Sequence, residues 1–114
     1  MYAVRQEELP LKGMSYNFVG ADHGDTKASV YIVNAPPGRG APPHRHPYDE
    51  IVFVQAGSGR WTVNGTEIEG TSGDIFVVKA GEIHSFINIG EDTLRLFDVH
   101  TNARFEQENI TQEP

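Results

Sequence analysis

The sequence predicts an all-β fold, an antiparallel sandwich or barrel. Three observations point there. Short segments rich in Val, Ile, Phe, Tyr, Trp and Thr recur along the chain. Its 12 glycines and 7 prolines are scattered between those segments instead of being gathered into a linker. No stretch longer than a few residues carries the apolar spacing of an amphipathic helix.

The elements follow in order. Residues 28–35 (ASVYIVNA) and 50–56 (EIVFVQA) read as strands. Residues 60–63 (RWTV) and 66–69 (TEIE) flank Asn64-Gly65. That dipeptide predicts a two-residue hairpin, because both turn positions need positive φ. Residues 74–78 (DIFVV), 84–89 (HSFINI) and 93–100 (TLRLFDVH) complete the set. The tail 103–110 (ARFEQENI) reads as one or two helical turns, and the terminal TQEP as frayed. His23-Gly24-Asp25 reads as a loop tip with an exposed histidine. There is no internal repeat at solenoid spacing.

Composition narrows the chemistry. A chain of 114 residues suits one domain with one core. It has no cysteine, so a metal would need nitrogen and oxygen ligands. No apolar run approaches the roughly 20 residues of a membrane span, and MYAVRQEELPLKG is unlike a signal peptide. The expectation is a soluble, cytoplasmic protein without a membrane partner. The net charge is −7 and no basic stripe exists, which argues against nucleic acid. Acidity of this size serves solubility or gives a field that favours cations, metal ions included.

One segment concentrates polar, restricted residues: PPHRHPYDE, residues 42–50. Side chains at i and i+2 of a strand share a face. His44 and His46 therefore project together, with Arg45 opposite. Glu50, Val52 and Val54 share a face of the next strand. If that face is inward, a carboxylate is buried among valines, which is costly unless a cation or hydrogen bonds compensate it. His84, at the start of another apolar strand, shares a face with Phe86 and Asn88. If the strands are neighbours, His44, His46, Glu50 and His84 converge. Three imidazoles and one carboxylate suit a divalent first-row metal. In an octahedral sphere they leave two positions open. A lone histidine is more often a surface or hydrogen-bonded residue, so the weight rests on the combined spacing.

These residues carry a family resemblance. The segment G38-RGAPP-H44-R-H46-PYD-E50-IVFVQA-G57 resembles the first cupin motif at every fixed position. The segment G73-DIFVV-K79-A-G81-EI-H84-SFI-N88 is similar to the second, with Lys79 where the family usually has proline. That departure is expected to loosen the loop before His84. FVGADHGD, HRHPYDE and DVHTNARF further resemble a bacterial subgroup of small single-domain cupins. The resemblance implies a double-stranded β-helix, a jelly-roll barrel of six to eight strands. Its core would run over about residues 14–101 of a single domain, 1–114, with the metal inside one end. It implies His44, His46, Glu50 and His84 as ligands of one divalent ion per chain: iron, manganese, nickel, cobalt or zinc. It also implies a homodimer paired through edge strands and N-terminal segments.

Other residues admit two roles each. Tyr48 could bond a substrate or pack at the rim. Phe86 and Phe76 could line a pocket or fill the core. Trp61 and Val63 read as core or dimer contact. Asp98 and His100 alternate with Phe97 and Val99, and the sequence leaves open which pair faces inward. His100 is a candidate base if it does, and Arg60 could draw an anion. No phosphate loop, GxSxG elbow or cysteine nucleophile is present.

Three functions remain. The first is a dioxygenase-type oxidoreductase acting on a small oxygen-rich molecule such as an enediol or β-diketone, with Glu50 also the candidate general base. The second is a non-redox isomerase, lyase or decarboxylase using the metal as a Lewis acid. The third is a small-ligand-binding module without catalysis.

Overall fold

A computed structural model describes residues 1–110; the TQEP segment read as frayed lies outside the described residues. The strands are β1 (Leu11–Lys12), β2 (Ser15–Phe18), β3 (Ser29–Ala35), β4 (Gly40–Arg45), β5 (Glu50–Ala56) and β6 (Ser58–Val63). They continue with β7 (Thr66–Thr71), β8 (Ile75–Val78), β9 (His84–Asn88), β10 (Leu94–His100) and β11 (Glu108–Asn109). One sheet has the order β1-β2-β3-β10-β5-β8 and the other β11-β4-β9-β6-β7. From β3 to β5 and again from β8 to β10 the chain alternates between the sheets, which winds it into a double-stranded β-helix. The only helical pieces among the described residues are single turns at Gln6–Glu8 and Gly20–Asp22. No described helix is long and apolar enough to cross a membrane.

The expected strands form, with ends moved by a residue or two. Asn64 and Gly65 take φ of 49° and 84°, as the hairpin between β6 and β7 requires. The strands β1, β2 and β11, outside the segments read as strands, bring the number to eleven where six to eight were expected. The helical reading of 103–110 is overturned. This segment is bent and extended, and Glu108 and Asn109 pair with Arg45 and His44 of β4. A free sheet edge outweighs the weak helix preference of a short polar segment.

The core sits between the sheets. Val33, Ala35, Val52, Val54, Leu94 and Leu96 from one sheet pack with Trp61 from the other. Phe76 and Phe86 close on the Trp61 ring, with centroids 4.7 and 5.9 Å away. Val63 is only half-buried, so of that pair Trp61 alone is core. The inward faces change character along their length. On β10 the inward residues run Leu94, Leu96, Asp98, His100. Opposite them on β5, Leu96 faces Val54, Asp98 faces Val52 and His100 faces Glu50. One end of the sandwich is thus apolar and the other polar, within the same strands.

Strands β4 and β9 approach closely at the end of their pairing away from His44 and His84. A methyl group on Gly40 would fall on the carbonyl oxygen of Phe86 across the β4–β9 pair. Only hydrogen fits there without moving backbone. Gly40→Ala is expected to lower stability by about 2 kcal/mol or more, read as a fall of several degrees in Tm. An unchanged Tm would show that the strands can part at no cost.

Candidate metal centre

The polar end brings together four side chains from three strands. His44 on β4 is the register partner of His84 on β9. His46 follows β4 directly, and Glu50 opens β5 in the facing sheet. All four are buried, none more than 7 % exposed. One ligand atom from each lies within 4.8 Å of the others.

Hydrogen bonds decide which ring nitrogen faces inward. His44 Nδ1–H donates to the Pro42 carbonyl (2.7 Å) and His84 Nδ1–H to the Glu82 carbonyl (2.9 Å). His46 Nδ1–H donates to the carbonyl of Glu106, sixty residues away, at 2.7 Å. A carbonyl oxygen only accepts, so each neutral ring carries its proton on Nδ1 and leaves Nε2 as a lone pair. These lone pairs converge. Glu50 Oε1 lies 3.3 Å from His46 Nε2 and 3.2 Å from His84 Nε2. His46 Nε2 has no hydrogen-bond partner among the described residues. Ligands held at about 2.1 Å from one ion, at right angles, are about 3 Å apart. The donor set and its spacing fit a divalent metal, and the backbone carbonyls are the outer partners that fix such histidines.

Charge is arranged to match. Burial pushes the His44 imidazole down to about 4, so it is neutral at physiological pH. Burial also opposes charge on His84, but its bond to Glu50 and that carboxylate's charge prevail and raise it. Burial likewise opposes charge on Glu50, yet the His46 and His84 rings beside its Oε1 hold its carboxyl well below the usual range. Glu50 is therefore the anion of the cluster. Protons compete with a cation first at His84.

The loops that carry the ligands are tied to each other. Lys79 Nζ bonds Asp49 Oδ2 at 2.7 Å, and the Ala80 amide donates to Asp49 Oδ1 at 2.9 Å. The Lys79 amide donates to Glu82 Oε1. Proline would have no N–H for that bond. The expected loosening at Lys79 is thus corrected: this residue fastens the loop before His84 to the loop before Glu50.

The other sequence candidates are now placed. A cavity of about 430 Å³ opens over the four side chains, and Phe86, His100 and Asp98 line it. The question of phase on β10 is resolved: Asp98 and His100 face in, at 7 % and 1 % exposed. Tyr48 does not line the cavity. Its hydroxyl sits behind the centre, 2.6 Å from His100 Nδ1, and accepts the Glu106 amide at 3.2 Å. Burial raises Tyr48 to about 12, so it keeps its proton. Phe76 packs against the core, on Trp61. Arg60 is away from the cavity, beside Glu69 at 3.6 Å. His23 is half-buried, stacked on Phe18 at 4.4 Å and bonded to the Tyr2 hydroxyl at 2.8 Å. It is not the exposed histidine expected.

Some residues at the site gave little sequence signal. The Glu106 peptide unit acts through its backbone, which no side-chain pattern reveals. Phe105 stacks on Tyr31 at 3.9 Å and Tyr31 meets the His100 ring edge-on at 5.0 Å. The aromatic pair is visible as residues, but its pairing depends on how the tail returns.

Comparison with known proteins agrees with this geometry. The cupin domain family profile matches residues 31–100. This chain is a cupin. Among solved structures, oxalate decarboxylase from Bacillus subtilis superposes with a TM-score of 0.84. It is 20 % identical, over 93 % of this chain and 31 % of that one. An uncharacterised double-stranded β-helix protein from Klebsiella pneumoniae gives a TM-score of 0.77 at 19 % identity, covering 98 % of this cupin and 99 % of its own chain. At such identity these likenesses speak for the fold alone. The HTH-type transcriptional activator RhaS of Mannheimia succiniciproducens is 32 % identical over 68 residues, 60 % of this chain. The cupin spans about a quarter of that protein's length, 25 %.

Two outcomes follow for metal binding. His46→Ala is expected to cost more affinity for a divalent ion than the roughly 10–100-fold lost with an outer partner, read by metal analysis after dialysis. Retained stoichiometric metal would remove His46 from the ligand set. Affinity should also fall as the pH drops from about 8 to 5, because His84 gains a proton before His44 does. A competition titration with a chromophoric chelator measures this, and a flat profile would contradict it.

Proposed function

We propose that this cupin is a metal-dependent enzyme of the dioxygenase type, acting on a small oxygen-rich organic molecule. The observation that carries the reading is a buried set of three imidazoles and one carboxylate at the floor of a cavity of about 430 Å³. A cavity of that size suits a small ligand. His44, His46, Glu50 and His84 would hold one divalent transition metal. Such an ion supplies Lewis acidity and, where it is redox-active, a route for electrons. The chain does the rest. Val33, Val52, Trp61 and Phe86 give the cavity apolar walls. Glu50 is the candidate general base, with Oε1 beside His46 and His84 and Oε2 toward His100 at 3.7 Å.

A second reading is a non-redox isomerase, lyase or decarboxylase. It is favoured by Asp98 and His100, two buried titratable groups in the cavity wall. Proton transfer needs such groups, whereas oxygen insertion does not.

Oxygen consumption separates these readings. Protein loaded in turn with Fe(II), Mn(II), Co(II), Ni(II) and Zn(II) is offered a panel of enediols, β-diketones and keto acids in an oxygen electrode. The dioxygenase reading expects uptake with at least one redox-active metal and none with zinc. Turnover without uptake, undiminished with zinc, would establish the second reading. Ligand-induced stabilisation with no turnover at all would leave a binding module.

A further inference from the structure

Antiparallel sheets with one face on a core commonly keep polar residues on the other. The second sheet obeys this. Across β9, β6 and β7 its outer rows read Ser85-Thr62-Glu67 and Ile87-Arg60-Glu69. The first sheet does not. Across β2, β3, β10, β5 and β8 one outer row reads Tyr16-Ile32-Phe97-Phe53-Ile75. The next reads Phe18-Val30-Val99-Ile51-Val77. In a chain of net charge −7, none of these ten residues is charged. A contiguous apolar face of this extent marks an interaction surface.

The two sides of that face differ. On one, Val4 and Leu9 of the N-terminal segment, with Phe18, Val30, Ile32 and Phe97, line a groove of about 360 Å³. On the other, Ile75 and Val77 of the edge strand β8 stand 58 % and 60 % exposed. Between the two sides runs β10, the middle strand of the five.

A two-fold axis parallel to the strands, lying over β10, exchanges these sides. It sets β8 of one copy over the groove of the other, and the reverse, as an isologous dimer requires. Sheet faces related in this way pack with their strands aligned. The size agrees. Five strands about 4.8 Å apart, over about 20 Å of strand length, give roughly 500 Å² in plan. The relief of the side chains raises this toward the roughly 800 Å² per partner of a standard interface. Charge agrees as well. Glu67 and Glu69 lie on the outer face of the other sheet, so two copies meet without apposing them. A lipid surface suits the face less, because binding to anionic lipid draws on Lys and Arg, and the ten residues include neither.

We propose that the outer face of the first sheet docks a second copy of this chain, with Ile75 and Val77 of each copy seated in the groove of the other. The contact is face to face, unlike the edge-strand pairing that the family resemblance implies. It leaves the metal-binding side chains, on the inner faces, untouched.

Sedimentation equilibrium of the full chain, over about 1–100 μM, tests this. The expected mass is twice 12.6 kDa. It should persist in about 1 M NaCl, since apolar contact is not screened as charge pairs are. Val77→Lys and Phe97→Lys should each raise the dissociation constant about 100-fold or more, with the strand signature in circular dichroism kept. Ile87→Lys, on the outer face of the other sheet, should leave the dimer intact. Phe97 is flanked by β3 and β5 and takes no part in pairing at an edge. A dimer broken by Val77→Lys but indifferent to Phe97→Lys would therefore overturn the proposal in favour of an edge contact. Should Phe97→Lys not fold, Phe97→Thr, which suits a strand, decides the same point. A dimer lost equally in Ile87→Lys would also overturn it. So would a wild-type chain that stays monomeric throughout, and flotation of that monomer with phosphatidylcholine vesicles would give the face to lipid instead.

Discussion

Glu50 is the constraint around which this end of the molecule is built. Its carboxylate is 3 % exposed and opens a strand whose other inward residues are valines. A charge in that position cannot be left unpaired. The protein surrounds it with the ring nitrogens of His46, His84 and His100 at 3.2 to 3.7 Å. Two of these rings have already committed their protons to backbone carbonyls. They answer the carboxylate with lone pairs, and an anion ringed by lone pairs is a site for a cation.

The sandwich accommodates this charge by separating its two ends. Leu94, Leu96, Val54, Val52 and Trp61 form a dry core over the first half of the long strands. The same strands then present Asp98, His100 and Glu50. Packing at the apolar end holds the strands in register, so the polar end does not have to stabilise its own geometry. The Lys79–Asp49 tie adds a local restraint between the two ligand loops.

The returning C-terminal segment is the second support. Through its backbone, Glu106 accepts from His46 at its carbonyl and donates to Tyr48 from its amide. It thereby sets the proton on a metal-binding ring and, by way of Tyr48, on His100. The strand pairing of Glu108 and Asn109 with β4 carries that peptide to its place. Phe105, stacked on Tyr31, holds it from the other side.

The sequence by itself determined the strand class, the hairpin at Asn64-Gly65 and the pairing of His44 with His46 on one face. These are local properties: a two-residue period, a turn that needs positive φ, and histidines spaced to share one face. Tertiary structure decided the rest, because it depended on long-range pairing. The inward phase of Asp98 and His100 was set by their register against Glu50 and Val52, since a shift of one residue would have exposed both. Tyr48 was drawn behind the centre by Glu106. The tail became a strand edge instead of a helix, because a free edge of β4 lay where it returned. No pattern within ten residues of Glu106 encodes a bond to a ring sixty positions earlier. Only the folded chain brings the two together.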